Sequence, residues 1–214
     1  MSQTKVAVGM LSATGTPGSG NFLRGDGTWN SPSSALTFIN TTDISSAATY
    51  DFTATDASLY DAYCMHVMNL IPVTDDVHFW MRTSTDGGSS YDASNSNYFW
   101  DGVLGDGNDA DEHVAASYGG RIHLSGATEN AAHRIGSAAG EDGCSGVIWI
   151  HGPHLTKATG ITWLMSCETA DGTHTGNAGG AFRRSAADVD AFQLLFSSGN
   201  IESGTVSVYG IANA

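Results

Sequence analysis

Basic residues are scarce in this chain. Of 214 residues only eight are lysine or arginine, against 22 acids, for a formal net charge of −14. A surface of that sign repels a phosphate backbone, which excludes nucleic-acid binding driven by charge neutralisation. It suits a soluble protein that repels others of its kind, and it leaves room for divalent cations. No stretch approaches the roughly 20 consecutive apolar residues of a membrane helix, so membrane insertion is not expected. Long runs of Leu, Glu, Lys and Gln are also missing, which leaves short strands and turns as the building material. The opening stretch, MSQTKVAVGMLSATG, lacks the basic start and long apolar run of a signal peptide, so the chain is expected to be made and folded in a cytosol. Three cysteines, Cys64, Cys144 and Cys167, show no metal-ligand spacing and cannot all pair within one chain. Cys64 and Cys167 lie inside apolar runs and read as free buried thiols.

What is present is glycine, at 27 residues, with serine, threonine, asparagine and aspartate around short apolar runs. Residues 1–34 form a first section in which Lys5 to Leu11 can make one strand before glycine and proline take over. This section carries Phe22, Leu23 and Trp29 although it is too broken to form a core, so these side chains must pack on another chain or on the following domain. Asp26-Gly27 reads as a tight turn aiming Phe22 and Trp29 in the same general direction, which accounts for Arg24-Gly25-Asp26 without an adhesion receptor. Residues 35–214 read as one domain of roughly nine or ten short strands, an antiparallel β-sandwich of the jelly-roll kind. From Leu59 to Ile71, alternation puts Tyr63, Met65, Val67, Asn69 and Ile71 on one face and Cys64, His66, Met68 and Leu70 on the other. Neither face is strictly polar, as in a central strand. The terminal GTVSVYGI reads as a last strand locked into the sheet.

Two stretches, Leu104 to Tyr118 and Ser125 to Gly143, read as long loops, of a length that compact domains keep for a use. In the first region Asp101, Asp106, Asp109 and Asp111 offer hard oxygen ligands suited to Ca2+, although the spacing is not that of an EF-hand. A solvated acidic loop is the plain alternative. Asp86-Gly87-Gly88 reads as a hairpin turn. His151 and His154 form a close pair without a third ligand in register. Trp80, Trp149 and Trp163 fall within strands as core or subunit-interface residues, whereas Tyr91 and Tyr118 fall in loops and are candidates for exposed contacts. No Gly-x-Ser-x-Gly elbow, His-Glu-x-x-His motif or Walker loop is present, and the chain is not expected to be an enzyme. Carboxylate pairs such as Glu129 with Asp142 or Glu141 count only if they meet at the right separation.

The stretch GTPGSGNFLRGDGTW, from Gly15 to Trp29, resembles a segment of bacteriophage tail-fibre and related virion-appendage proteins. The strings YDAY, NLIPVTD and RTSTDGGSSYD between Leu59 and Asp92, and the ending from Phe192 to Ala212, resemble a module of phage structural proteins. The resemblance implies a trimeric β-sandwich head on a short stalk, with Phe22, Leu23 and Trp29 of three chains burying one another. It implies a virion structural protein, assembled in the host cytoplasm, that binds other virion proteins through its N-terminal segment. Its head loops would meet a host-surface glycan or protein, with Tyr91, Asp106, Asp109, Tyr118 and Glu129 as contact residues and no cofactor beyond Ca2+. A capsid decoration protein or head fibre is the alternative, and a glycan-modifying appendage enzyme a third.

Overall fold

A computed structural model describes residues 13–16, 18–30, 36–106, 112–125 and 134–212; for 104, 106 and 112–118 it gives the backbone alone. By its contacts the chain divides into two units, Met1–Ala35 and Leu36–Ala214. Among the described residues there is no helix, and every strand pair within the sheets is antiparallel.

The first unit holds a two-stranded ribbon, β1 (Phe22–Leu23) with β2 (Trp29–Asn30). The second holds β3 (Leu36–Ala47), β4 (Tyr50–Phe52), β5 (Tyr60–Pro72), β6 (Phe79–Ser84), β7 (Tyr98–Asp106), β8 (Glu112–Gly119), β9 (Ile122–His123), β10 (Cys144–His151), β11 (Thr159–Glu168), β12 (His174–Arg183), β13 (Ala191–Phe196) and β14 (Ile201–Ala212). They form an eight-stranded sheet in the order β3-β14-β5-β10-β11-β12-β7-β8 and a four-stranded sheet in the order β4-β13-β6-β9. The twelve strands exceed the nine or ten expected, because stretches read as loops are paired backbone.

Side chains from both sheets share one core. Phe52, Phe79, Met81, Phe192 and Leu194 come from the smaller sheet, and Tyr63, Met65, Ile148, Trp163 and Val206 from the larger. β11 shows the cause plainly. Ile161, Trp163, Met165 and Cys167 alternate inward, while Thr162, Leu164 and Ser166 alternate outward, the two-residue period of a strand with one face in the core. β5 is central, between β14 and β10, but its alternation is not continuous. The register against β10 shifts between Cys144 and Gly146, and Asn69 takes a φ of 46°. An extra residue in a bulge reverses parity, so Leu70 lies in the core and not on the face opposite Tyr63.

The Leu104–Tyr118 stretch is no long loop. β7 runs to Asp106, β8 resumes at Glu112, and the two pair with Phe99 opposite Tyr118 and Leu104 opposite Glu112. Part of Ser125–Gly143 is likewise tied down, since Ile135 is fully buried and bridges Val77 on one side and Thr169 on the other. Asp86-Gly87-Gly88 does turn, with φ of 70° at Gly87 and 83° at Gly88, but it is no hairpin, because β6 and β7 lie in different sheets. Cys144 and Cys167 are not free thiols. They are direct cross-strand partners on β10 and β11, 4.2 Å apart at Cα, and form a disulfide; Cys64 alone is free and buried.

Candidate interaction surfaces

The ribbon of the first unit is built on its turn. Asp26 Oδ1 accepts hydrogen bonds from Thr28 N (3.0 Å) and Thr28 Oγ1 (2.7 Å), which lowers its pKa. Arg24 N donates to Thr28 O, Gly27 N donates to Arg24 O, and Gly27 has a φ of 81°. The Arg24-Gly25-Asp26 triplet is thus the turn of a hairpin. Thr14 adds a third line of backbone, donating to Gly27 O and accepting from Trp29 N. The register pairs Leu23 with Trp29 and Phe22 with Asn30, so Leu23 and Trp29 share a face and Phe22 takes the other. The expectation that Phe22 and Trp29 aim together is corrected by that register. Phe22 stays 47% exposed and Leu23 40%, while Trp29 is half-buried.

Of the other residues singled out as loop contacts or cation ligands, Asp101 and Tyr91 are the ones whose side chains are described. Asp101 lies within β7, opposite Gly180 on β12, and not in a loop. Asp109, Asp111 and Glu129 lie outside the described residues. Asp106 and Tyr118 sit on β7 and β8 as backbone positions whose side chains are not described. Among the described residues no group of three or more His, Cys, Asp or Glu is placed to hold a metal ion. Tyr91 is half-buried, and its hydroxyl is buried without a hydrogen-bond partner. Burial and the nearby Asp51, Asp190 and Asp86 push its pKa up to about 12. Its hydroxyl is turned away from solvent, while the residue keeps part of its surface exposed.

Histidine 154 anchors a hydrogen-bonded chain that sequence reading missed. Its Nδ1 meets Asp188 Oδ1 at 2.9 Å and its Nε2 meets the Tyr63 hydroxyl at 3.2 Å, while that hydroxyl accepts the Asp56 N–H at 2.6 Å. The three elements it joins are far apart in sequence, so no local spacing signals it. Burial raises the Tyr63 pKa. His151, three positions earlier, instead meets Thr162 Oγ1 at 3.1 Å, so the pair does not share a ligand. Of the acids weighed as a pair, Glu141 Oε2 accepts from Ala138 N, and the Asp142 N–H donates to Glu168 Oε2. These bonds hold the backbone of the connection into β10.

A second unforeseen cluster surrounds His123. Trp100 stacks on its ring at 4.9 Å, His78 stands across it at 5.4 Å, and Trp80 lies at 5.6 Å. The Arg121 guanidinium sits 4.0 Å over the Trp80 ring, and its Nε donates to His123 Nε2 at 3.3 Å. With Nε2 accepting, the neutral ring carries its proton on Nδ1, which is buried without a partner. His123 is only 6% exposed. Burial, with help from the charges of His78 and Arg121, pushes its pKa down to about 3.

The outward face of the eight-stranded sheet is different in kind. One row across it reads Val103, Ala178, Leu164, Val147, His66 and Ser207, each opposite the next in register. The adjacent row reads Asp101, Gly180, Thr162, Trp149, Cys64 and Tyr209. Asp101 is the one carboxylate in the two rows. Leu164 is 60% exposed, Phe182 54% and Val103 49%. Ala178 and Gly180 floor a groove of about 360 Å³ between Val103 and Phe182. Its flatness has a cause on the inner side too. A Cβ on Gly179 would lie 2.2 Å from Cζ2 of Trp163, whose Nε1 donates to Asn177 Oδ1 at 2.9 Å. No family model, no curated protein and no solved structure matches the chain.

Proposed function

We propose that the chain is a structural protein of a bacteriophage virion, a homotrimeric fibre-type appendage that contacts the host surface. Residues 1–34 attach it to other virion proteins, and loops of residues 35–214 meet a host glycan or protein. The observation that carries this reading is the ribbon from Phe22 to Asn30. It keeps Phe22 47% and Leu23 40% exposed although its turn is closed and its two strands are paired. Burying a side chain of this size contributes about 1.5–3 kcal/mol, so an element that leaves two of them in water is suited to meet its own copies about a shared axis. The same stretch carries the resemblance to phage fibres.

The fold part of the reading is a jelly roll, and strand pairing supports it. Taken in chain order, β3, β4, β5, β6, β9, β10, β13 and β14 pair first with last, second with seventh, third with sixth and fourth with fifth. That is the pattern of one long antiparallel ribbon rolled into two sheets. On this reading β7–β8 and β11–β12 are hairpins added to the larger sheet. Three identical weak sites on one rigid head give avidity without chemistry.

Adsorption competition tests the proposal. Purified full chain added before infection is expected to reduce adsorption of the phage that encodes it, and antibody against the chain is expected to label the tail. Label on the capsid lattice with no competition would make it a decoration protein. Virions without any label would refute the proposal.

A further inference from the structure

We propose that the outward face of the eight-stranded sheet, centred on β11 and β12, is where one copy of the chain packs against a second copy. This rests on the reading of the chain as a symmetric oligomer and locates its head-to-head contact. Charge singles out the occupant. A chain of net charge −14 repels its copies over most of its surface. Copies can approach closely only through a face that carries almost no charge, and the two rows described have Asp101 as their one carboxylate. A basic partner would be met by acids, and these rows do not offer them.

Shape agrees with charge. Leu164, Phe182 and Val103 stand out from the face, and the groove over Ala178 and Gly180 lies beside them. Small residues there let a side chain such as Leu164 of a second copy seat against the backbone. Six strands at about 4.8 Å spacing and two outward positions along each give about 400 Å² of projected face, so positions beyond these two rows supply the rest of the about 800 Å² of accessible surface per partner that a stable interface needs.

Sedimentation equilibrium of the full chain tests this. The wild type is expected at three times 22.2 kDa. Combining Leu164→Asp with Ala178→Asp places like charges across the contact and is expected to weaken association roughly 100-fold, read as a rise in the dissociation constant. Both positions are exposed, so an unchanged circular dichroism spectrum and a cooperative melt are expected to accompany dissociation. Val73→Asp, at a residue 52% exposed between β5 and β6, is expected to keep the wild-type mass. Should the double variant fail to fold, Leu164→Asn reads the same outcome with a smaller change. A folded variant whose dissociation constant is unchanged would overturn the assignment of this face while leaving the oligomer intact. A monomeric wild type would overturn both.

Discussion

Acidification should destabilise the fold through His123 from about pH 6.5 downward. The ring is held neutral between Trp100 and Trp80, with His78 and the Arg121 guanidinium as its facing titratable groups. Its pKa lies at about 3 in the fold against 6.5 for an unperturbed histidine. The folded value is the lower one, so the unfolded chain takes up the proton first. The stability this provides is present above pH 6.5 and is lost as pH falls toward 3. Linkage puts the whole loss at about 5 kcal/mol and the part between pH 7 and pH 5 at about 2 kcal/mol. Urea unfolding followed by tryptophan fluorescence, at fixed protein concentration and at pH 7, 6 and 5, measures it against His123→Phe. The phenyl ring keeps the stack on Trp100 and cannot titrate, and its loss of the Arg121 hydrogen bond is independent of pH in this range. Wild-type stability should fall relative to the variant by about 2 kcal/mol from pH 7 to pH 5. Parallel curves would refute the reasoning.

Gly179→Ala should cost about 2 kcal/mol in unfolding free energy, because its Cβ meets Trp163 Cζ2 at 2.2 Å and the Asp101 carbonyl oxygen at 2.6 Å; an unchanged melting temperature would contradict the packing described. Reducing the Cys144–Cys167 disulfide, which spans 23 positions, should lower stability by about 3 kcal/mol in denaturant titrations with and without reductant. Tyr91→Phe removes a buried hydroxyl that has no partner and should be neutral or stabilising by up to about 1 kcal/mol in the same assay. Phe22→Ser with Leu23→Ser should leave the melt of the second unit unchanged and weaken self-association in sedimentation.

Much of the fold was legible where one residue type repeats at one period. β11 reads directly, since Ile161, Trp163, Met165 and Cys167 alternate with polar or outward neighbours. β14 reads as an integral last strand and is one, lying between β3 and β5. β5 was legible as a central strand but not its bulge, because a parity change at Asn69 depends on register against β10 and leaves no mark in composition. The acidic β7–β8 hairpin was hidden because its glycines and aspartates are turn residues by propensity, and pairing with β12 overrides that. The disulfide was hidden for the same reason as the bulge, since only register brings Cys144 opposite Cys167. The candidate sites were less legible still. The His154 cluster joins Tyr63 on β5 to residues of connections far along the chain, the His123 cluster joins residues on and beside β6, β7 and β9, and the charge-poor face emerges only when six strands are laid side by side.

The most direct test of the central claim is cryo-electron microscopy of the intact particle produced with this chain. The claim predicts three-fold density at the tail, fitted by three copies of the chain. Particles in which no density fits this chain, or in which it is present as isolated single copies, would contradict it.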